Sequence, residues 1–266
     1  MTTGLLNLDS RETWHPDFEA LVYNQEVWSE VEARLNAGKI ESSQFLNRFL
    51  EQITCREESL TDDLARTLRA KAREILVKKY THVTAYHGCR PKDRRTYQES
   101  GILPSDTESL ISEARSLFAG IGDLEKALKD IGPEYLSHNE GKVGLLFSAI
   151  RAKQDQNEYA NGSELMRGLA YRLGREAKVR FTQTGKPMLI QCAIPVDWLD
   201  KHTTFPVSGS YADHVLEELI RRKRWPNDEF PGCSGGYFLT RAVPPENILE
   251  FIDMTEFSNE DRWVKE

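Results

Sequence analysis

The heptapeptide Thr81-His-Val-Thr-Ala-Tyr-His87 ends the helical first part of the chain and begins its β-structure. Its side chains alternate as they do in a half-buried strand, and Gly88 and Pro91 then end that strand. A histidine at a strand end, followed directly by glycine, places an imidazole where the backbone can approach a ligand closely. Any chemistry of this chain is therefore expected to centre on His87.

The sequence before this strand has the pattern of amphipathic helices. Apolar residues recur at three- and four-residue spacings among charges and predict helices over residues 17–36, 42–51 and 61–79. Residues 1–80 are therefore interpreted as an N-terminal helical region that forms a bundle or a cap.

After the strand, helical and strand patterns follow each other unevenly. Helices are predicted over residues 93–100, 108–131 and 212–223, and over a segment capped by Asn161 or Ser163 that ends at Leu173. Strands are predicted over residues 143–148, 187–194, 237–242 and 248–252. An uneven mixture after an all-helical start favours an α+β fold over a regular βαβ alternation, with residues 81–266 as the second domain.

Composition excludes several classes of protein. The net charge of −7 argues against a chain whose overall field holds nucleic acid, and the basic run at residues 221–224 suits the negative end of a helix dipole. The sequence has neither a signal peptide nor a stretch approaching roughly eighteen apolar residues, so a cytoplasmic protein without a membrane partner is expected. The four cysteines are far apart and lack zinc-finger spacing, so no metal site is predicted.

Five short motifs follow one another in a characteristic order. They are Tyr86-His-Gly88, Gly101-Ile-Leu-Pro104, Gly144-Leu-Leu-Phe-Ser148, Ala193-Ile-Pro195 and Val243-Pro-Pro-Glu-Asn-Ile248. This succession, from about residue 81 to residue 254, resembles the NAD-dependent ADP-ribosyltransferases of the poly(ADP-ribose) polymerase and diphtheria-toxin type. The resemblance implies a split β-sheet core of that type behind the N-terminal helices.

The resemblance also implies roles in binding NAD as a substrate. His87 would hydrogen-bond a ribose hydroxyl, and the backbone of Gly88 would bind the nicotinamide carboxamide. Phe147 or Tyr159 would stack on the nicotinamide ring, although Phe147 could instead fill the core of a buried strand. Arg90 would bind the pyrophosphate, since guanidinium groups make paired bonds to phosphate oxygens, or would be a solvated loop residue.

The late strand departs from the family pattern. Its alignment puts Gly236 where the family carries the glutamate that stabilises the cationic transition state. Three carboxylates are candidate replacements: Asp228 and Glu229 in the loop before the strand, and Glu164 at a predicted helix start. Each of them could equally be a solvated or capping carboxylate.

The resemblance implies an NAD-dependent ADP-ribosyltransferase, a glycosyltransferase whose acceptor is protein, RNA or DNA, with NAD hydrolysis as a variant. The resemblance further suggests a bacterial toxin or antiphage effector with a neutralising partner. The alternative is a catalytically silent binding module, which the missing glutamate favours. An RNA 2′-phosphotransferase ranks last, because His82, His138 and His202 do not fall into its pattern. A carboxylate that shares a cleft with His87 would favour the enzyme.

Overall fold

A computed structural model of the chain describes residues 3–37, 63–132, 138–154, 162–205, 207–227, 229, 232–257 and 263–264. Within these ranges the chain has eleven helices and a six-stranded, mostly antiparallel sheet, which confirms the α+β class. The predicted helix at 42–51, Tyr159 and Asp228 lie outside the described residues.

The helices and strands are numbered here in chain order. The helices are α1 (Pro16–Tyr23), α2 (Gln25–Ala37), α3 (Asp63–Lys79), α4 (Arg95–Ser100), α5 (Thr107–Leu117), α6 (Leu124–Ile131), α7 (Ala149–Gln154), α8 (Glu164–Leu173), α9 (Arg175–Thr182), α10 (Trp198–Lys201) and α11 (Ser208–Arg224). The strands are β1 (Thr3–Leu6), β2 (Tyr80–Cys89), β3 (Val143–Leu146), β4 (Met188–Pro195), β5 (Gly236–Leu239) and β6 (Ile248–Asp253).

The chain folds into two compact units. The first comprises residues 1–83, 195–201 and 205–233, and the second comprises residues 84–194, 202–204 and 234–266. The first unit thus contains α10 and α11 in addition to the helices before residue 80, and the second contains the strand end at His87.

The two longest helices form the centre of the first unit. Helices α3 and α11 pack against each other, and α1 packs against both. In α3 the buried side chains are Ala65, Leu68, Ala72 and Leu76, at the spacings of one helix face. An apolar stripe of this kind is recognised from sequence alone. The helix predicted over residues 61–79 therefore matches α3 closely.

Asn24 divides the predicted first helix in two. Its backbone leaves the helical region at φ −53° and ψ 132°, and α2 begins at the next residue. The side-chain Oδ1 of Asn24 accepts hydrogen bonds from the backbone N–H groups of Glu26 and Val27, at 3.0 and 3.3 Å. Asparagine caps helix N-termini well, so the single helix predicted over residues 17–36 becomes α1 and α2.

The first unit also buries charged side chains along α11. Asp213, which is 1% exposed, lies 2.9 Å from the guanidinium of Arg69. Glu218, which is 2% exposed, accepts hydrogen bonds from Arg221, at 2.9 Å, and from Arg222. Two arginines of the basic run at 221–224 therefore form ion pairs with a buried carboxylate of the same helix.

The sheet of the second unit brings together segments that are far apart in sequence. Its strands are hydrogen-bonded in the order β5-β3-β2-β4-β6. Strand β3 pairs antiparallel with both neighbours, so that Leu146 stands opposite Tyr86 on β2 and opposite Gly236 on β5. In the first unit, β1 pairs parallel with the beginning of β2.

A second core lies among the helices of this unit. Helices α5, α6, α8 and α9 contribute most of the buried side chains of one apolar cluster, which includes Leu169 and Phe181, and Phe118 and Ile121 join it from the turn after α5. Gly120 and Gly122 have φ of +78° and +55°, a region that other residues rarely adopt. These two glycines end the helix predicted over residues 108–131, so α5 and α6 are separate helices.

The described cysteines are free and buried: Cys89, Cys192 and Cys233. Burial raises the pKa of the Cys89 and Cys192 thiols to about 12 and that of Cys233 well above its usual value. All three are therefore thiols at neutral pH. Among the helices of the described ranges, none is long and apolar enough to span a bilayer.

Candidate functional site

The second unit contains a cavity of about 760 Å³ above the ends of strands β2, β3 and β5. The segment from Ile102 to Leu117, which includes α5, and the beginning of α8 supply most of the remaining wall. Small-molecule and cofactor sites span roughly 300 to 1,000 Å³, so this cavity suits a large ligand.

The sheet gathers the motif residues at this cavity. His87 and Gly88 reach it from the end of β2, Gly144 from β3, and Gly236 from the start of β5. Arg90 and Glu164 also line it, so four of the predicted site residues share one cavity: His87, Gly88, Arg90 and Glu164.

The hydrogen bond of His87 fixes its tautomer. Nδ1 lies 2.9 Å from the carbonyl oxygen of Gly144, and because a carbonyl only accepts, Nδ1 must carry the proton. Burial lowers the pKa of His87 below its usual 6.5, although the bond to Gly144 acts in the opposite direction. The imidazole is therefore neutral at pH 7, with Nε2 as a hydrogen-bond acceptor.

Two further side chains beside His87 are also uncharged. Tyr97 has its ring 6.4 Å from that of His87 and shares a hydrogen bond with the Cys89 thiol. Burial raises the pKa of both Cys89 and Tyr97, so neither ionises near neutral pH. This part of the cavity can bind hydroxyl and amide groups, and it provides no thiolate nucleophile.

Arg90 is held in the cavity wall. Its Nη1 donates to the carbonyl oxygens of Thr182 and Gly185, at 3.0 and 2.5 Å, and its guanidinium lies 5.3 Å from the ring centroid of Phe181. These contacts anchor the end of α9 to the end of β2. The predicted binding of pyrophosphate by Arg90 stays a prediction, and it would have to use the other guanidinium nitrogens.

The aromatic residues of the cavity lining include Tyr97, Phe181, Tyr237 and Phe238, none of which the sequence indicated as a site residue. Of these, Tyr237 is 2% exposed. Phe147 is 5% exposed, lies outside the cavity lining and packs its ring 5.3 Å from that of Tyr237. The position of Phe147 therefore agrees with the second of its two predicted roles, that of a residue that fills the core.

Gly236 has no room for a side chain. Its backbone approaches β3 so closely that a Cβ atom would lie 2.2 Å from the carbonyl oxygen of Leu145. The pairing of β5 with β3 thus requires a glycine at the position where the resemblance would place a glutamate.

Of the two described replacement carboxylates, Glu164 lies at the cavity. It is the exposed first residue of α8, and the Ser163 hydroxyl caps this helix by accepting from the N–H of Met166 at 3.5 Å. The helix dipole favours a carboxylate in this first turn. Glu229 is exposed, belongs to the first unit and does not line the cavity.

A second carboxylate, Glu113 on α5, was missed by the sequence interpretation. It lines the cavity, and its Oε1 lies 3.1 Å from Nζ of Lys92. Leu110, Glu113 and Leu117 all face the cavity at helical spacings. A carboxylate within an apolar stripe was therefore the signal that could have identified Glu113.

The cavity offers polar and charged contacts to a ligand. Its ionisable groups include the carboxylates of Glu113 and Glu164, the ammonium groups of Lys92 and Lys142, and neutral His87. Across the described part of the chain, no three His, Cys, Asp or Glu side chains gather in a group that could hold a metal ion. Comparison of the chain with known protein families, curated protein sequences and solved structures gives no match.

Proposed function

We propose that this chain is an NAD-dependent ADP-ribosyltransferase that cleaves the bond between nicotinamide and ribose and transfers ADP-ribose to a macromolecule. One observation carries the proposal. His87 and Gly88, which belong to the first of the five motifs, line the same cavity as the carboxylate of Glu164. Strands β2, β3 and β4, which carry three of the five motifs, are also hydrogen-bonded neighbours in the order β3-β2-β4.

The proposal gives each polar group at the end of β2 a role in binding NAD. Nε2 of neutral His87 accepts a hydrogen bond from a ribose hydroxyl, since Nδ1–H is already bonded to Gly144. The backbone of Gly88 bonds the nicotinamide carboxamide. Tyr237, which lines the cavity, takes the aromatic role first assigned to Phe147 or Tyr159.

The reaction then needs only charge stabilisation and an acceptor. The glycosidic bond breaks with both electrons remaining on nicotinamide, which leaves positive charge on the ribose. The Glu164 carboxylate stabilises this charge, and an acceptor nucleophile attacks the anomeric carbon and gives up its proton. Glu113 is a second carboxylate on the cavity wall that could take this role, whereas the Asp106 carboxylate, which also lines the cavity, caps α5.

The decisive experiment measures nicotinamide release from NAD by the purified full-length chain, with cell lysate as the source of acceptors. The His87→Ala variant is expected to lose release. His82→Ala is the matched control, because His82 is on the same strand, contacts Thr81 and does not line the cavity. NAD labelled in its adenylate half identifies whether protein, RNA or DNA receives the label.

A second function is favoured by Gly236. With a glycine at the family's glutamate position, the chain would bind NAD without cleaving it, as a silent module. NAD binding without nicotinamide release, in the presence of lysate, would establish this alternative. A chain that neither binds nor cleaves NAD would overturn both proposals.

A further inference from the structure

One corner of the cavity has no role in the proposal so far. It is formed by His138, Lys142 and Phe238, called here the Lys142 corner. The ammonium of Lys142 donates to the carbonyl oxygen of His138 at 2.5 Å and lies 5.7 Å from the ring centroid of Phe238. The His138 ring meets the same Phe238 ring edge-on, at 5.6 Å. The ammonium is thus held between a carbonyl and an aromatic ring.

Lys142 differs from the other cations of the cavity. Lys92 is paired with Glu113 at 3.1 Å, and Nη1 of Arg90 is bonded to two carbonyl oxygens. Among the described residues, no carboxylate lies within 4.0 Å of the Lys142 ammonium. A half-buried ammonium without a counter-ion attracts an anionic ligand group.

The Lys142 corner lies next to His87. Gly144, whose carbonyl bonds His87, stands opposite Phe238 in the pairing of β3 with β5. A Cβ atom on Gly144 would lie in ordinary van der Waals contact with the Phe238 ring, at 3.5 Å, so this ring lies directly beside Gly144. Lys142 precedes Gly144 by two residues, or about 7 Å of extended chain. One nucleotide can therefore reach both His87 and Lys142.

A second observation points to a ligand at this corner. Oδ1 of Asn139 is buried and has no hydrogen-bond partner among the described residues, and Asn139 lines the cavity beside Lys142. Buried polar atoms in folded proteins are nearly always paired. Rotation of the Asn139 side chain toward the cavity would bring this oxygen to a hydroxyl group of a bound ligand, which would supply the missing donor.

We propose that Lys142 binds a phosphate of the nucleotide and that Oδ1 of Asn139 accepts a hydrogen bond from the adjacent ribose. The proposal rests on the proposed NAD function and assigns the charge that neutralises the pyrophosphate to Lys142. Arg90 then serves mainly to hold the cavity wall through Thr182, Gly185 and Phe181.

The test is a calorimetric titration of the full-length chain with ADP-ribose, which carries both phosphates and no nicotinamide. Lys142→Met keeps the length of the side chain and removes its charge, and it is expected to weaken binding roughly 10- to 100-fold. Lys153→Met is the matched control, because the Lys153 ammonium also lies over a phenylalanine ring, 5.4 Å from Phe257, away from the cavity. Its affinity is expected to equal that of the wild type.

A third variant separates phosphate binding from a structural role. Lys142→Arg keeps the positive charge and should bind ADP-ribose within about threefold of the wild type. Equal losses in the Met and Arg variants, or a Met variant that binds normally, would overturn the phosphate role and leave the NAD proposal standing. A wild-type chain that binds neither NAD nor ADP-ribose would overturn both.

Discussion

At the scale of single residues, the protonation state of His87 leads to a pH prediction. Because burial lowers its pKa below 6.5, the ring stays neutral as the pH falls to 6.5. NAD affinity is expected to be constant above that pH. It should decrease only at lower pH, where Nε2 gains a proton and can no longer accept a bond from the ribose. Calorimetric titrations from about pH 5 to about pH 8 measure this.

The control for this profile is His87→Gln, whose amide has an acceptor and does not titrate. Its NAD affinity should not change over the same range of pH. A variant that shows the same loss at low pH as the wild type would assign the titration to another group.

Glu164 is the second residue whose role can be tested directly. Glu164→Gln keeps the shape of the side chain and removes the charge that would stabilise the ribosyl cation, so nicotinamide release should decrease on the order of 100-fold. Glu176→Gln, in the first turn of the neighbouring helix α9 and outside the cavity lining, should retain full activity. A normal rate in Glu164→Gln, together with a loss in Glu113→Gln, would transfer the role to Glu113.

At the scale of elements, the pairing of β5 with β3 depends on Gly236. Gly236→Ala would place a Cβ atom 2.2 Å from the Leu145 carbonyl oxygen, so the two strands must separate. A loss of about 1–3 kcal/mol in the free energy of unfolding is expected in urea titrations. The control is Gly4→Ala in β1, where a Cβ atom would have no neighbour within 4 Å.

The same contact decides whether a glutamate can be placed at position 236. Gly236→Glu is expected to be destabilised like Gly236→Ala and to gain no nicotinamide release. A stable Gly236→Glu variant with faster release would contradict this account of β5.

Elements with a strong local signal could be predicted from the sequence. The apolar stripe of α3 and the Ser163 cap of α8 are such signals, and both helices lie close to their predicted positions. The breaks at Asn24 and at Gly120 were missed, because a cap or a glycine within a periodic pattern does not reveal whether the helix continues beyond it. Strand β1 has four residues, too few for a periodic signal.

The candidate site could be predicted only in part, for a physical reason. The residues at the end of β2 were identified because a strand end followed by glycine is a local pattern. Which carboxylate faces them depends on the packing of helices α5 and α8 over the sheet. The sequence therefore indicated Glu164, Asp228 and Glu229 without separating them. Of the two that the structure describes, Glu164 lines the cavity and Glu229 does not.

At the scale of the whole molecule, stability depends on charges buried in the first unit. Arg69→Leu would remove a guanidinium that lies 2.9 Å from Asp213, which is 1% exposed. Breaking a buried ion pair from one side costs about 3–5 kcal/mol, which urea unfolding would measure as a lower midpoint. Arg66→Leu, on the same helix, breaks an exposed pair with Asp63 and should cost less than about 1 kcal/mol. Equal losses of unfolding free energy in the two variants would show that burial does not make the Arg69–Asp213 pair the more important one.

The three buried thiols allow the rate of local opening in each unit to be measured with the native cysteines. Cys233 belongs to the first unit, and Cys89 and Cys192 belong to the second. A maleimide reacts with thiolate, so each of these cysteines should be alkylated only during moments of local opening. Mass spectrometry of the modified peptides would then give one opening rate for each unit. A ligand bound in the cavity, which Cys89 lines, should slow the labelling of Cys89 more than that of Cys233.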